Sequence, residues 1–158
     1  MKALVVIANG SEELEAVTII DILARAKIQV TTATINSNLE TACSRGVKIM
    51  ADKFLSECNE QYDVIAIPGG LPGADNLAGS QLLIQKIKEQ LAANRFVAAI
   101  CASPAIVLEG NGIMFVIIFS VYEAMIYFNI HFIVKEESVL PIHHSNQNLL
   151  TNQQFINV

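Results

Sequence analysis

The sequence lacks the features that mark nucleic-acid-binding proteins, disulfide-linked domains and metal sites. Lysine and arginine number 10 against 15 acidic residues in a chain of 158, and there is no basic stripe, so no nucleic-acid partner is expected. The three cysteines, Cys43, Cys58 and Cys101, are widely spaced, without a CxxC pair or zinc-ligand spacing. Neither a disulfide framework nor a metal or other cofactor is therefore indicated, which fits a reducing cytoplasm.

Targeting and membrane segments are also not expected. The N-terminus passes directly into the apolar run Ala3–Ala8, which is too short for a signal peptide. Phe115–Val134 has the length and apolar character of a bilayer span. Because Glu123, Asn129 and His131 interrupt it, buried strands or a core helix are expected there, and a membrane partner is not.

Residues 1–109 alternate between short apolar runs and amphipathic stretches. The apolar runs are typical of strands buried on both faces, and the amphipathic stretches of helices that cover such a sheet. This order predicts an α/β fold of three layers, α/β/α, with a doubly wound parallel sheet. The predicted elements are the strands Ala3–Ala8, Ile28–Ile35, Tyr62–Ile67 and Phe96–Ile100, a helix that starts at Glu12 after a Ser11 cap, the helix Ser80–Ala93, and a hairpin or edge element within Thr41–Ala51.

Cys101 ends the apolar segment Phe96–Ile100 and is followed by Ala102, Ser103 and Pro104, where a short helix-like stretch begins. A strand that turns sharply into a helix places one side chain on a strained corner. The N–H groups and the dipole of the new helix favour a thiolate at that corner. Cys101 is therefore a candidate nucleophile, and a buried cysteine of the core is the alternative.

Three glutamates crowd the start of the first predicted helix. Glu12 and Glu13 fit the ordinary role of acidic residues that complement the helix dipole. Glu15 has apolar neighbours, and if it points inward it is a buried carboxyl with a raised pKa. A protonated carboxyl beside a thiolate donates a hydrogen bond to it and then acts as a general acid or base.

Gly69 and Gly70 lie at the predicted carboxyl end of a strand, as Gly10 and Cys101 do. Ligands of doubly wound folds bind at the carboxyl ends of the strands. Glycine lets backbone N–H groups approach a ligand, and with the N–H of Ala102 these residues form a candidate oxyanion site. A simple tight turn is the alternative, and neither GxGxxG nor a GxxxxGK phosphate loop is present.

The remaining cysteines and one arginine carry weaker signals. Cys43 and Arg45 lie in a small insert between two predicted strands. Arg45 is expected either to be a solvated surface residue or to pair with a carboxylate across a subunit contact. Cys58 is interpreted as a loop residue without a role.

Ordered motifs over about residues 2–109 resemble the ThiJ/PfpI superfamily. The resemblance is to the branch that contains the Parkinson-disease-associated deglycase and the bacterial chaperone YajL. Because the motifs are specific and follow one another in the same order, the chain is identified as a member. They are Gly10–Val17, Thr41–Val47, Tyr62–Gly70 with Gly73–Leu77, and Ala98–Pro104.

The resemblance implies a flavodoxin-like fold and a role for each site residue. Cys101 is then the nucleophile and the oxidation-sensitive cysteine. Glu15 is the protonated carboxyl that lowers the pKa of Cys101 and stabilises its sulfinate. Gly69, Gly70 and Ala102 line the oxyanion pocket. The resemblance also implies a homodimer in which the first helix and the segment around Cys43 and Arg45 lie near the contact.

The resemblance implies several activities. The first is glyoxalase III-type conversion of methylglyoxal or protein deglycation, so that the partner is a small 2-oxoaldehyde or a glycated protein. The second is a redox-regulated chaperone or oxidative-stress sensor that binds unfolded clients without required turnover. Other relatives are labelled as thiazole monophosphate biosynthesis proteins or proteases.

Residues 115–158 do not share the resemblance. The family places a histidine near the nucleophile, whereas no histidine lies between Cys101 and His131 here. His131, His143 and His144 are the three histidines of the chain, and none is assigned to that position. The segment is either an altered or truncated ending of an inactive form, or a diverged part of one domain over 1–158 that supplies the missing strand.

Overall fold

The computed structural model describes residues 1–113 and the backbone of Phe132–Ile133. His131, His143, His144 and nearly all of the apolar segment 115–134 lie outside the described residues, so the assignment of 1–158 to one domain stays a prediction. Five parallel strands and one antiparallel edge strand form a six-stranded sheet. From edge to edge the strands are β5 (Lys53–Phe54), β2 (Gln29–Thr34), β1 (Lys2–Ile7), β6 (Val64–Ile67), β7 (Phe96–Ala99) and β8 (Phe132–Ile133).

Helices cover both faces of this sheet. They are α1 (Glu13–Arg25), α2 (Gly73–Gly79), α3 (Gln81–Ala92) and a short helical segment with wide turns, Pro104–Leu108. Successive strand residues point to opposite faces, so β1 is buried on both sides. Val5 packs in the core formed with α1, and Leu4 in the core formed with α2 and α3. The predicted three-layer α/β/α fold is confirmed.

The order in which strands are added to the sheet reverses between β1 and β6, two parallel strands that lie side by side in the centre of the sheet. From β1 the chain passes outward to β2, whereas β6 leads to β7 on the other side. Such a switch point opens a crevice at the carboxyl ends of the strands. The loops that follow β1, β6 and β7 all meet at this crevice.

The predicted hairpin is present as an antiparallel pair, β3 (Glu40–Ala42) and β4 (Lys48–Met50). It is attached to the loop after β1, because the Gly10 N–H donates to the Ala42 carbonyl at 2.8 Å. The Glu13 carboxylate accepts hydrogen bonds from Ser44 Oγ at 2.9 Å and from the Arg45 N–H at 2.9 Å. The start of α1 and the hairpin are therefore held as one unit.

One expectation about a single residue was wrong, and the structure adds to two others. Ser11 does not cap α1, since its Oγ accepts from the Ala8 N–H at 3.0 Å, and Glu12 is the capping residue instead. Glu13 does more than complement the helix dipole, because it is only 9% exposed and holds the hairpin. Cys58 lies in a loop as expected, and its side chain packs in the core at 1% exposure.

Over residues 1–113, none of the helices has both the length and the apolar character that a bilayer span needs.

Candidate functional site

Cys101 lies on a sharp turn directly after β7. Its φ angle is +60°, a left-handed conformation that costs a side-chain-bearing residue conformational energy. The turn is held against the end of β6, since the Ile100 N–H donates to the Ile67 carbonyl at 3.3 Å and Ser103 Oγ donates to the Pro68 carbonyl at 2.6 Å. The strained corner therefore presents an exposed cysteine at the carboxyl edge of the sheet.

Glu15 reaches the same place from the first turn of α1. It is half-buried, and its Oε2 accepts a hydrogen bond from the Gly69 N–H at 2.7 Å. Its carboxyl also lies close enough to the Cys101 thiol for the two groups to affect each other's pKa. Burial raises the pKa of Glu15 above its ordinary value, the charge of Glu12 adds to the rise, and the bonds from Gly69 and Cys101 oppose it. The inward orientation considered from the sequence is the one observed.

The pKa of Cys101 is raised, which corrects the expectation of a thiolate favoured by the helix start and by Glu15. Burial is the largest cause, followed by the charge of Glu15 and its hydrogen bond with the thiol. The N–H groups of Gly70 and Ala102 favour the thiolate but do not outweigh these effects. An ionised carboxylate repels a thiolate, so the two groups titrate as a coupled pair.

The two glycines after β6 have different parts in this site. A Cβ on Gly69 would lie 2.7 Å from Cys101 Cβ and 3.1 Å from its Sγ, so only glycine lets the turn approach so closely. The Gly69 N–H is already bound to Glu15. The donors that face the sulfur are therefore Gly70 and Ala102, whereas Gly69 supplies space and anchors the carboxyl rather than donating to an oxyanion.

Cys43 and Arg45 lie in the hairpin beside the start of α1. Cys43 is 7% exposed, and burial with the charges of Glu13 and Glu12 raises its pKa. The Arg45 backbone binds Glu13, while its exposed guanidinium donates to the Ser44 carbonyl at 3.3 Å. Their part in a subunit contact stays a prediction.

Two residues of the site were not singled out by the sequence. Glu12 accepts a hydrogen bond from the Glu15 N–H at 2.8 Å, and Ser103 fastens the cysteine turn to Pro68. Both lie inside recognised motifs, but their roles depend on long-range contacts. Within the described part of the chain, no three histidine, cysteine or acidic side chains are grouped so as to hold a metal ion.

Exchange of Glu15 by glutamine is expected to shift Cys101 reactivity to lower pH. The neutral amide can still accept from Gly69 and removes the negative charge that raises the pKa of Cys101. Because alkylation follows the thiolate fraction, the pH profile of iodoacetamide labelling should move downward in Glu15→Gln. Peptide mass spectrometry would measure it, with Glu57→Gln as a charge-matched control. An unchanged or upward-shifted profile would refute the coupling.

The exposed Cys101 on its strained turn and the half-buried Glu15 carboxyl thus meet at the carboxyl edge of a doubly wound sheet. The family model described as DJ-1/PfpI family matches residues 1–124, and the chain belongs to this family. The predicted membership is confirmed, and the match extends beyond the predicted limit at residue 109.

Individual relatives agree with this assignment. Over 112 residues the chain is 49% identical to Protein DJ-1 homolog B of Arabidopsis thaliana, covering 70% of this chain and 26% of that protein. Over 101 residues it is 34% identical to the glutathione-independent glyoxalase DJR-1.2 of Caenorhabditis elegans, covering 63% and 53%. The oxidized DJ-1 structure from Toxoplasma gondii has a TM-score of 0.70 and 48% identity, covering 71% and 61%. The chain thus matches less than two thirds of the length of each relative.

Proposed function

We propose that this chain is a cysteine-dependent glyoxalase that converts small 2-oxoaldehydes, such as methylglyoxal, into 2-hydroxy acids. The observation that carries the proposal is the exposed Cys101 sulfur, faced by the Glu15 carboxyl and by the N–H groups of Gly70 and Ala102. The similarity to the C. elegans glyoxalase supports the same substrate class. Aldehyde adducts on proteins belong to that class as well, and a cytoplasmic setting is part of the proposal.

The first step joins the cysteine to the aldehyde. Cys101 Sγ bonds to the aldehyde carbon while the thiol proton passes to the Glu15 carboxylate, which is a better base because its pKa is raised. The aldehyde oxygen becomes an oxyanion held by the N–H groups of Gly70 and Ala102. Glu15 then returns the proton to this oxygen, and the product is a neutral hemithioacetal. No preformed thiolate is needed.

The second step moves hydrogen between the two substrate carbons. Glu15 removes the proton from the former aldehyde carbon, and the hydroxyl proton on that carbon moves to the ketone oxygen, which gives an enediol-type intermediate. Glu15 then delivers its proton to the former ketone carbon. The first carbon is thereby oxidised to a thioester and the second is reduced to an alcohol, with no external oxidant. Water then attacks the thioester, the carbon–sulfur bond breaks, and the hydroxy acid and the Cys101 thiol are released.

The direct test uses the full chain and methylglyoxal without glutathione. Lactate is measured by chromatography, and the Cys101 adduct is sought by intact-protein mass spectrometry after a rapid quench. Formation of lactate at a rate that saturates with methylglyoxal is the expected result. If neither lactate nor an adduct forms, the proposal is wrong.

A second candidate function is oxidant sensing without turnover. An exposed cysteine surrounded by two N–H donors and a carboxyl can hold the two oxygens of a sulfinate. Peroxide treatment that adds two oxygens to Cys101 in a chain that makes no lactate would favour this candidate. Binding of unfolded clients would need an exposed apolar surface, and the candidate for it is the apolar segment 115–134, nearly all of which lies outside the described residues.

We also propose that the chain forms a homodimer through α1 and the hairpin. Glu13 ties these two elements together, and both expose apolar side chains: Leu14 (50%), Val17 (49%) and Met50 (65%). Leu14→Glu is expected to convert a dimer to a monomer, because a charge would be buried in the contact. Light scattering after gel filtration measures the mass. Leu82→Glu, at an exposed leucine of α3, is the matched control, and a dimeric Leu14→Glu would overturn the proposal.

A further inference from the structure

Glu12 is an unexpected residue at the capping position of α1. Helix caps favour short side chains such as serine, threonine, aspartate and asparagine. A serine is available at position 11, but its hydroxyl is bound to the Ala8 N–H. Glu12 supplies the cap instead, with its Oε2 accepting from the Glu15 N–H at 2.8 Å. A position that departs from the usual preference is a candidate for a functional role.

The hydrogen bonds of Glu12 form a closed ring with the site. The Glu12 N–H donates to the Gly69 carbonyl at 2.9 Å, and the Gly69 N–H donates to Glu15 Oε2 at 2.7 Å. The Glu15 N–H donates in turn to the Glu12 carboxylate, which closes the ring. Both the backbone and the carboxyl of Glu15 are therefore fixed relative to Gly69, where an added Cβ would lie 2.7 Å from Cys101 Cβ.

We propose that Glu12 is a positioning residue that holds the Glu15 carboxyl against Cys101. It acts through the cap on the Glu15 N–H and through its own N–H bond to Gly69. Because a proton must pass between Glu15 and the cysteine or the substrate, small displacements of this carboxyl slow the reaction strongly. The expected loss of kcat rests on the proposed glyoxalase function, whereas the positioning of Glu15 by Glu12 does not depend on it.

Glu12 also acts on Glu15 through its charge. Among the described residues, the titratable groups that face Glu15 are Glu12 and Cys101. The negative charge of Glu12 raises the pKa of Glu15 and so adds to the effect of burial. The Glu12 side chain thus both positions the Glu15 carboxyl and makes it a stronger base.

Two variants separate these contributions. Glu12→Gln keeps an oxygen that can accept from the Glu15 N–H but removes the charge, whereas Glu12→Ala removes both. In Glu12→Gln the titration midpoint of the Glu15 carboxyl is expected to fall, because the charge of Glu12 raises it, while the Glu15 amide stays protected from exchange. In Glu12→Ala that protection is lost and kcat for lactate falls about tenfold with little change in KM, and glutamine restores most of kcat.

The measurements are the carbon-13 titration of the Glu15 carboxyl, amide exchange and steady-state kinetics. Glu57→Ala is the matched control, since Glu57 also accepts from a backbone N–H, that of Phe54 at 2.9 Å, but lies after β5 at the far edge of the sheet. The inference would be overturned by two results together. They are an unchanged titration midpoint of Glu15 in Glu12→Gln, and unchanged Glu15 amide exchange and kcat in Glu12→Ala. The unmodified chain could make no lactate while the variants still change the Glu15 titration midpoint and the Glu15 amide exchange. In that case the glyoxalase proposal is wrong and the positioning role of Glu12 stands.

Discussion

Exchange of Cys101 by serine is expected to lower lactate formation from methylglyoxal by about a thousandfold or more. Serine fits the same turn, but its hydroxyl remains protonated at neutral pH and is a much weaker nucleophile than a thiol. The Glu15 carboxylate can still accept a hydrogen bond from it, so the variant should fold normally. The expected loss is therefore in kcat and in the covalent adduct, not in stability.

The chain offers a matched control for this experiment. Cys58→Ala also removes a free thiol, but Cys58 is 1% exposed and its S–H donates to the Phe54 carbonyl away from the crevice. It is expected to keep the full rate per folded molecule, although the loss of packing lowers its melting temperature. A Cys101→Ser variant with more than about a tenth of the normal rate would exclude the covalent mechanism.

The second large effect is expected for Gly70→Ala. Gly70 has φ = +93°, and an added Cβ would overlap the backbone nitrogen of Glu12 and lie 2.6 Å from the Gly10 carbonyl oxygen. Neither atom can move without breaking the loop after β1. We expect a loss of about 3 kcal/mol or more in the free energy of unfolding, from the unfavourable φ and the clash together.

Denaturant unfolding followed by circular dichroism measures this loss. Gly79→Ala is the control, because Gly79 lies at the end of α2 and an added Cβ would meet nothing within 4 Å. That substitution should be neutral or stabilising by up to about 1 kcal/mol. Equal stability of the two variants would show that the loops after β1 and β6 are not packed together as described.

The parts of the fold that local signals determine were predicted closely. The apolar run Ala3–Ala8 corresponds to β1 at Lys2–Ile7, and Ser80–Ala93 corresponds to α3 at Gln81–Ala92 with Ser80 as its cap. Each signal is contained in the segment itself, as an uninterrupted buried run or an amphipathic repeat. The helix α2 was not predicted, because Gly73 and Gly79 bound it and glycine disfavours helices.

The structure brings together Cys101 and Glu15, both named from the sequence, and it agrees with the expected raised pKa of Glu15 but not with the expected lowered pKa of Cys101. Cys101 and Glu15 were named because their motifs place them at strand and helix ends. The direction of the Cys101 pKa depends on how deeply the pair is buried and on which state Glu15 occupies, and neither is visible along the chain. The choice of Glu12 over Ser11 as the cap likewise depends on the contacts with Ala8 and Gly69.

The anchor between Gly69 and Glu15 joins residues 54 positions apart in the chain. Cys101 arrives from a third segment, so the acid–thiol pair exists only after β1, β6 and β7 have assembled side by side. An unfolded chain has an ordinary thiol at this position, whereas the assembled sheet suppresses its ionisation. Slower alkylation of Cys101 near neutral pH in the folded chain than in denaturant is therefore the result expected once the central sheet is complete.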